Sequence, residues 1–188
     1  MDLIEIVLRP WTSKDLEALR GIYRSSRDLE SQFPHPVSTL AQAQDVIEGP
    51  LACTEASMSL AITVDGHPVG GVSVSHLDRR HDTGWLSYFS ATSVRGQGLS
   101  RRSVIAIANW ALTEMGLFRL ELGHRVDNPA SGAVALAAGF VPEGLERQKL
   151  RYGDDRFDVV VCARLATDPV PAVDGVRVIP PGSVPNPS

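Results

Sequence analysis

Arg95-Gly96-Gln97-Gly98-Leu99-Ser100 is the stretch on which the reading of this chain turns. A period-two apolar run over residues 85–90 precedes it. A helical run over residues 100–115 follows, with Val104, Ile107, Ala108, Ala111, Leu112 and Met115 on one face and Gly116 just past the end. The six residues therefore form a strand-to-helix turn. Glycines there let a ligand approach the backbone without meeting a Cβ. The first helical turn leaves its N–H groups unpaired and the helix dipole adds about half a positive charge, an arrangement suited to a diphosphate. Arg101 and Arg102 offer a cationic rim. As a string alone, the pattern fits a ligand-free glycine turn equally well.

The surrounding segments alternate between period two and period three to four, the mark of a mixed α/β domain. Residues 4–8 read as a first strand. Thr12-Ser13-Lys14-Asp15 resembles a capping box ahead of Leu16, Leu19, Ile22 and Tyr23, and Thr39 with Gln42 starts a second helix over residues 40–47. Phe33-Pro34-His35-Pro36 between them must be a loop. Strands are expected over residues 59–64, 69–74 and 85–90, with Asp65-Gly66 turning the first pair. Beyond the glycine turn and its helix come a strand over 119–125, a short Ala-rich helix over 130–138 closed by Gly139, and strands over 147–152 and 157–165. The order is β-α-α-β-β-β-α-β-α-β-β. Trp85, Trp110, Phe118 and Phe140 read as core.

The 188 residues are 43% apolar, enough for one domain with a real core, and we place that domain at residues 1–166. Six of the thirteen prolines lie beyond it, so residues 167–188 read as a tail, extended or partly disordered. Val176-Arg177-Val178-Ile179 could lay down an edge strand there, received by a partner subunit in a homodimer. No apolar run is long enough for a membrane span, and the acidic N-terminus is unlike a signal peptide. A net charge of −4 argues against nucleic acid as the main partner. Cys53 and Cys162 read as free thiols in a reducing cytoplasm. His76, Asp78, His81 and Asp82 are interleaved with Arg79-Arg80, which favours an exposed hairpin loop over a metal site.

Thirty-three residues after Arg95, Asn128-Pro129-Ala130-Ser131 joins the end of a strand to the start of a helix that stops at Gly139-Phe140. The ensemble resembles the GNAT superfamily of acyl-CoA-dependent N-acyltransferases. Arg125-Val126-Asp127 before that turn, Glu143-Gly144, and Gly153-Asp154 with Asp158 look like its ribosomal-protein-alanine (Rim-type) branch. The resemblance covers about residues 1–166 and is strongest over 84–165. It implies a mixed central sheet flanked by helices, whose parallel strands 85–90 and 119–125 splay apart around the pantetheine arm of acetyl-CoA. Main-chain groups of Phe89, Ser90 and Ala91 would then meet pantetheine. The amides of Arg95, Gly96, Gln97, Gly98, Leu99 and Ser100 would hold the pyrophosphate. Asn128 would bond the arm, and Ser131 would sit beside the thioester sulfur.

Departures from the family pattern fall at the proton-handling positions. The tyrosine that many GNAT enzymes carry seven residues after the turn Asn is Ala135 here, whereas the serine proposed as acid in the Rim branch is retained as Ser131. That branch's glutamate base falls at Leu150. Glu121, Tyr88 or His124 could hold a water that carries the proton away, and Phe33 and His35 are candidates for the acceptor pocket. Ser131 and Asn128 also have plain readings as helix-start residues. The expected activity is acetyl transfer from acetyl-CoA, without a metal, to a primary amine such as a protein N-terminal α-amine. The alternatives are a small-molecule amine (a polyamine or an antibiotic) and a catalytically silent acyl-CoA-binding module.

Overall fold

Ile6 and Leu8 are fully buried on one side of the first strand, β1 (Ile6–Pro10), which lies two residues later than the run at 4–8 predicts. The computed structural model describes residues 3–182. Asp15 accepts from both the amide and the hydroxyl of Thr12, turning the chain into α1 (Leu16–Ser25). The reciprocal box between Thr39 and Gln42 starts α2 (Leu40–Glu48). Asp65 and Gly66 both take positive φ (49° and 79°), as a two-residue hairpin requires, and fold β2 (Met58–Val64) onto β3 (His67–Asp78). β4 (Thr83–Ser90), α3 (Leu99–Thr113), β5 (Arg119–Arg125), α4 (Pro129–Ala137), β6 (Val141–Tyr152) and β7 (Asp155–Leu165) follow in the expected order. β6 begins well before residue 147. Irregular register at Pro142/Gly144 and Glu146/Leu150 breaks the alternation that would have revealed its first half.

Among the described residues, eight strands form one mixed sheet in the order β6-β7-β5-β4-β3-β2-β1-β8, where β8 is Val176–Val178. One face carries α3 and α4 over a core that includes Leu60, Ile62, Leu86, Leu120, Leu122 and Ile107. The other carries α1 and α2 over Trp11, Leu19, Ile22, Val46 and Ala61. Phe140 is buried as expected, but Phe118 is half exposed at the start of β5 and is not core. Arg164, fully buried, donates to the Ala138 carbonyl and so anchors the C-terminal end of α4.

The proline-rich tail folds back onto the domain. β8 pairs in parallel with β1 of the same chain, not with a partner subunit, and residues 183–188, part of the same expected tail, lie outside the described residues. Arg102, four residues into α3, donates to the carbonyls of Ile4, Asp174 and Gly175, and Asn109 donates to Pro171. The cationic rim expected of Arg102 is thus taken up by the tail. Gly175 has φ +63°, and an added Cβ would lie 2.4 Å from Arg102 Nη2 and 2.7 Å from Leu3 Cδ2. Gly175→Ala should therefore loosen the tail at a cost of about 1–3 kcal/mol. A lower unfolding midpoint with earlier proteolysis beyond residue 166 is the expected readout; an unchanged digest would contradict it.

Candidate active site

β4 and β5 are paired at three positions, Thr83↔Arg119, Gly84↔Leu120 and Trp85↔Glu121. Beyond them each strand keeps its outer partner: β4 stays paired to β3 as far as Ser90↔Gly70, and β5 stays paired to β7 as far as Arg125↔Val159. The two strands therefore diverge into a gap open at their C-terminal ends. Successive residues of an antiparallel strand turn their N–H and C=O to opposite edges. Ala91 donates its amide to Val69 O at 2.9 Å and its carbonyl accepts from Val94 N, so the Ala91 amide and the main-chain groups of Phe89 face β3. Those of Tyr88 and Ser90 face the gap. Of the three residues expected to offer main-chain contacts to pantetheine, Ser90 is so placed, Phe89 and Ala91 are not, and Tyr88 joins it.

The glycine turn closes the open end of the gap. Gly96 and Gly98 adopt φ of 77° and 76°, and an added Cβ at either would meet nothing within 4 Å. Among the described residues, none of the amides of residues 96–101 donates to another protein group. Arg95 differs from that expectation, because its amide is engaged by Thr92 O. Its guanidinium donates to both carboxylate oxygens of Asp28 (3.1 and 2.9 Å) and to Ser90 O at 3.1 Å. Ser26 Oγ accepts the amide of Thr92 and bonds its hydroxyl. These links tie the segment Arg27–Ser31, which leads toward Phe33 and His35, to the turn. Ser26, Asp28 and Thr92 were invisible to sequence reading, since nothing local marks contacts across 66 or 67 residues.

Ser131 lies in the first turn of α4, where Asn128 Oδ1 accepts its amide at 3.1 Å. The capping role of Asn128 is thus real, and its amide nitrogen remains available to another acceptor. Ser131 Oγ lies 2.9 Å from Tyr88 Oη, a hydrogen bond that joins β4 to α4 across the gap. Burial pushes the Tyr88 phenol above its ordinary pKa, and the bond to Ser131 partly offsets this. His124 also lies on this side: its ring packs on Gly132, where a Cβ would come within 3.0 Å of Cε1, and its Nδ1 bonds Arg125 O.

Glu121 is not brought to this pair. It is the register partner of Trp85, and its neighbours Leu120 and Leu122 belong to the core under α3. Its carboxylate therefore emerges on the opposite face of the sheet. There Arg119 holds it at 2.7 Å while also gripping Glu143 through two nitrogens. Hydrogen bonds to Glu143 and Glu121 push the Arg119 pKa up. Glu121 is thus committed to a salt bridge on the side of the sheet away from Ser131.

The face opposite α4 has an aromatic wall. Phe33 meets Phe89 edge-on with centroids 5.2 Å apart, and Tyr23 lies 6.0 Å from Phe33. Trp11 stacks on Phe89 at 6.2 Å. Phe33 is thus part of the wall beside the gap, and His35, half-buried, bonds Pro36 O. Leu150 pairs with Phe157 on the β6–β7 hairpin. Asp78 Oδ1 accepts the amides of Arg80 and His81 in the β3–β4 loop, and no cluster of three metal-binding side chains occurs among the described residues. Both cysteines are free, and burial raises both thiols. No helix among the described residues is long and apolar enough to cross a membrane.

Comparison with known proteins matches this geometry. The family described as "Acetyltransferase (GNAT) domain" matches residues 5–141. The ribosomal-protein-serine acetyltransferase of Escherichia coli (strain K12) is 31% identical over 97 residues, which is 52% of this chain and 54% of that protein. The match thus spans about half the length of that relative. Among solved structures, RimL, a ribosomal L7/L12 α-N-protein acetyltransferase in complex with coenzyme A, superposes with a TM-score of 0.78 at 22% identity. It covers 91% of this chain and 96% of its own. A chimera of the Vibrio cholerae spermidine N-acetyltransferase SpeG with hSSAT gives 0.76 at 18% identity, covering 87% and 96%.

Proposed function

The chain belongs to the GNAT family of acyl-CoA-dependent N-acetyltransferases, and from that premise we propose that it moves the acetyl group of acetyl-CoA to the α-amine of a protein N-terminus. The carrying observation is the gap between β4 and β5, closed at one end by the free amides of residues 96–101. Those amides would hold the pyrophosphate, as their number and the helix dipole favour. Tyr88 and Ser90 would offer main-chain groups to the pantetheine arm, and Asn128 its free side-chain nitrogen. Ser131 would give its hydroxyl proton to the departing sulfur, helped by the positive end of α4.

The acceptor follows from what the site lacks. Four carboxylates around the gap are paired: Glu121 and Glu143 to Arg119, Asp127 to Arg125, Asp28 to Arg95. None of these four is a free carboxylate base. An α-amine with a pKa of about 7.7–8.0 is already roughly one-tenth neutral at pH 7, whereas a lysine near 10.4 is neutral at about the 0.04% level. A site without a strong base therefore favours the weaker amine. Incubation with acetyl-CoA and a panel of N-terminal peptides, free lysine, spermidine and an aminoglycoside, followed by thiol release, tests this. Peptide α-amines should turn over fastest. Preference for spermidine would redirect the reading to small-molecule amines, and binding of acetyl-CoA with silence across the panel would leave the binding-module alternative.

A further inference from the structure

We propose that Tyr88 is the proton source behind Ser131, a positioning and recharging residue from β4 that takes the place of the phenol this chain lacks at Ala135. The inference rests on the reading of Ser131 as the group beside the departing sulfur. Tyr88 is three residues beyond the last β4–β5 pair, where the gap has opened. Its hydroxyl and that of Ser131, 2.9 Å apart, form a two-member chain from the sheet to the first turn of α4. Ser131 is itself fixed by Asn128, so the chain has one anchored end. A phenol is protonated at neutral pH, the state a donor needs.

The step balances within these groups and water. The amine nitrogen forms its bond to the carbonyl carbon, and the carbon–sulfur bond breaks with its electron pair on sulfur. Ser131 gives its hydroxyl proton to that sulfur while its oxygen takes the phenol proton of Tyr88. Tyr88 recovers a proton from water, which has accepted the one lost by the amine. Hydrogen bonds arranged in series polarise one another, so Ser131 is a better donor to a thiolate while it accepts from Tyr88 than when alone.

The test compares the parent protein with Tyr88→Phe, Ser131→Ala and the double variant. In the complex with CoA, thiolate formation followed at 240 nm requires no acceptor. Tyr88→Phe should shift that equilibrium about ten-fold toward the thiol, with Ser131→Ala at least as large and the double variant no worse than Ser131→Ala. His124, which packs on the same helix at Gly132, is kept in all four proteins. With a peptide acceptor, kcat should fall about ten-fold in Tyr88→Phe, while the dissociation constant of acetyl-CoA by calorimetry stays within about two-fold. An unaltered thiol titration in Tyr88→Phe, or additive losses in the double variant, would overturn the relay. A parallel loss of acetyl-CoA affinity would assign Tyr88 to packing. Silence of the amine panel bears on the acceptor and on turnover, and it is distinguishable from failure of the relay because the thiolate measurement uses no amine.

Discussion

Gly98→Asp should weaken acetyl-CoA binding by about three orders of magnitude while leaving the protein folded. Gly98 is the N-cap of α3 and adopts φ 76°, and the space where its Cβ would project is empty. A carboxylate placed there faces the position assigned to the pyrophosphate. Like charges about 4 Å apart repel by ~4 kcal/mol at an effective dielectric near 20, or about a thousand-fold in affinity. Gly98→Asn separates charge from shape: asparagine has nearly the same size and tolerates a left-handed backbone, so it should retain most of the binding that aspartate removes. Calorimetric titration with acetyl-CoA reads both variants. Equal loss in the two would show that backbone geometry, not charge, governs the turn.

Asp15→Ala should destabilise the fold by about 3 kcal/mol, lowering the unfolding midpoint by about 6–12 °C in a chain of this length. The Asp15 side chain is 4% exposed and accepts from Arg9 through two nitrogens at 2.7 and 2.8 Å as well as from Thr12. Its removal takes from Arg9 its carboxylate partner, leaving the guanidinium only the carbonyls of Pro10 and Gly66, and removes the acceptor that turns Thr12 into α1. Burial alone would raise the Asp15 pKa, but the bonds from Arg9 and Thr12 and the Arg9 charge outweigh it, and the net direction is down. A carboxylate depressed on folding stabilises the native state at pH values above its unfolded pKa of about 3.9. That contribution is lost as pH falls through the lower folded value. The stability gap between parent and variant, measured by urea unfolding, should therefore be full at pH 7 and narrow progressively below about pH 4. A gap independent of pH would mean that packing at Asp15, not its charge, is what matters. Because the pair lies at the end of β1, away from the gap, acetyl-CoA affinity should be unaffected.

The sequence alone determined what depends on near neighbours along the chain. The Asp65-Gly66 turn, the Thr39–Gln42 box and the stop at Gly139 are local chemistry, and each falls where the pattern put it, although β3 beyond the turn runs on to Asp78, four residues past its expected end. The glycine turn was legible for the same reason, since its free amides follow from a helix that starts at Leu99 behind two glycines of positive φ. What the sequence could not carry was direction and distance between segments. Period-two alternation shows that successive residues of β4 differ but not which strand edge each one faces. Pairing with β3 assigned Tyr88 and Ser90 to the gap and turned Phe89 and Ala91 away. Composition marked the last prolines as a tail, yet Arg102 and the edge of β1 gave that tail a place in the sheet. Three residues singled out together for proton transfer were divided by the pleat. Glu121 went to one face and into an ion pair, whereas Tyr88 and Ser131, 43 residues apart in the chain, were brought to 2.9 Å on the other. Local geometry follows from backbone sterics and short-range hydrogen bonds, so it can be read along the chain; a contact between distant side chains exists once the sheet has fixed its register, which requires the whole core.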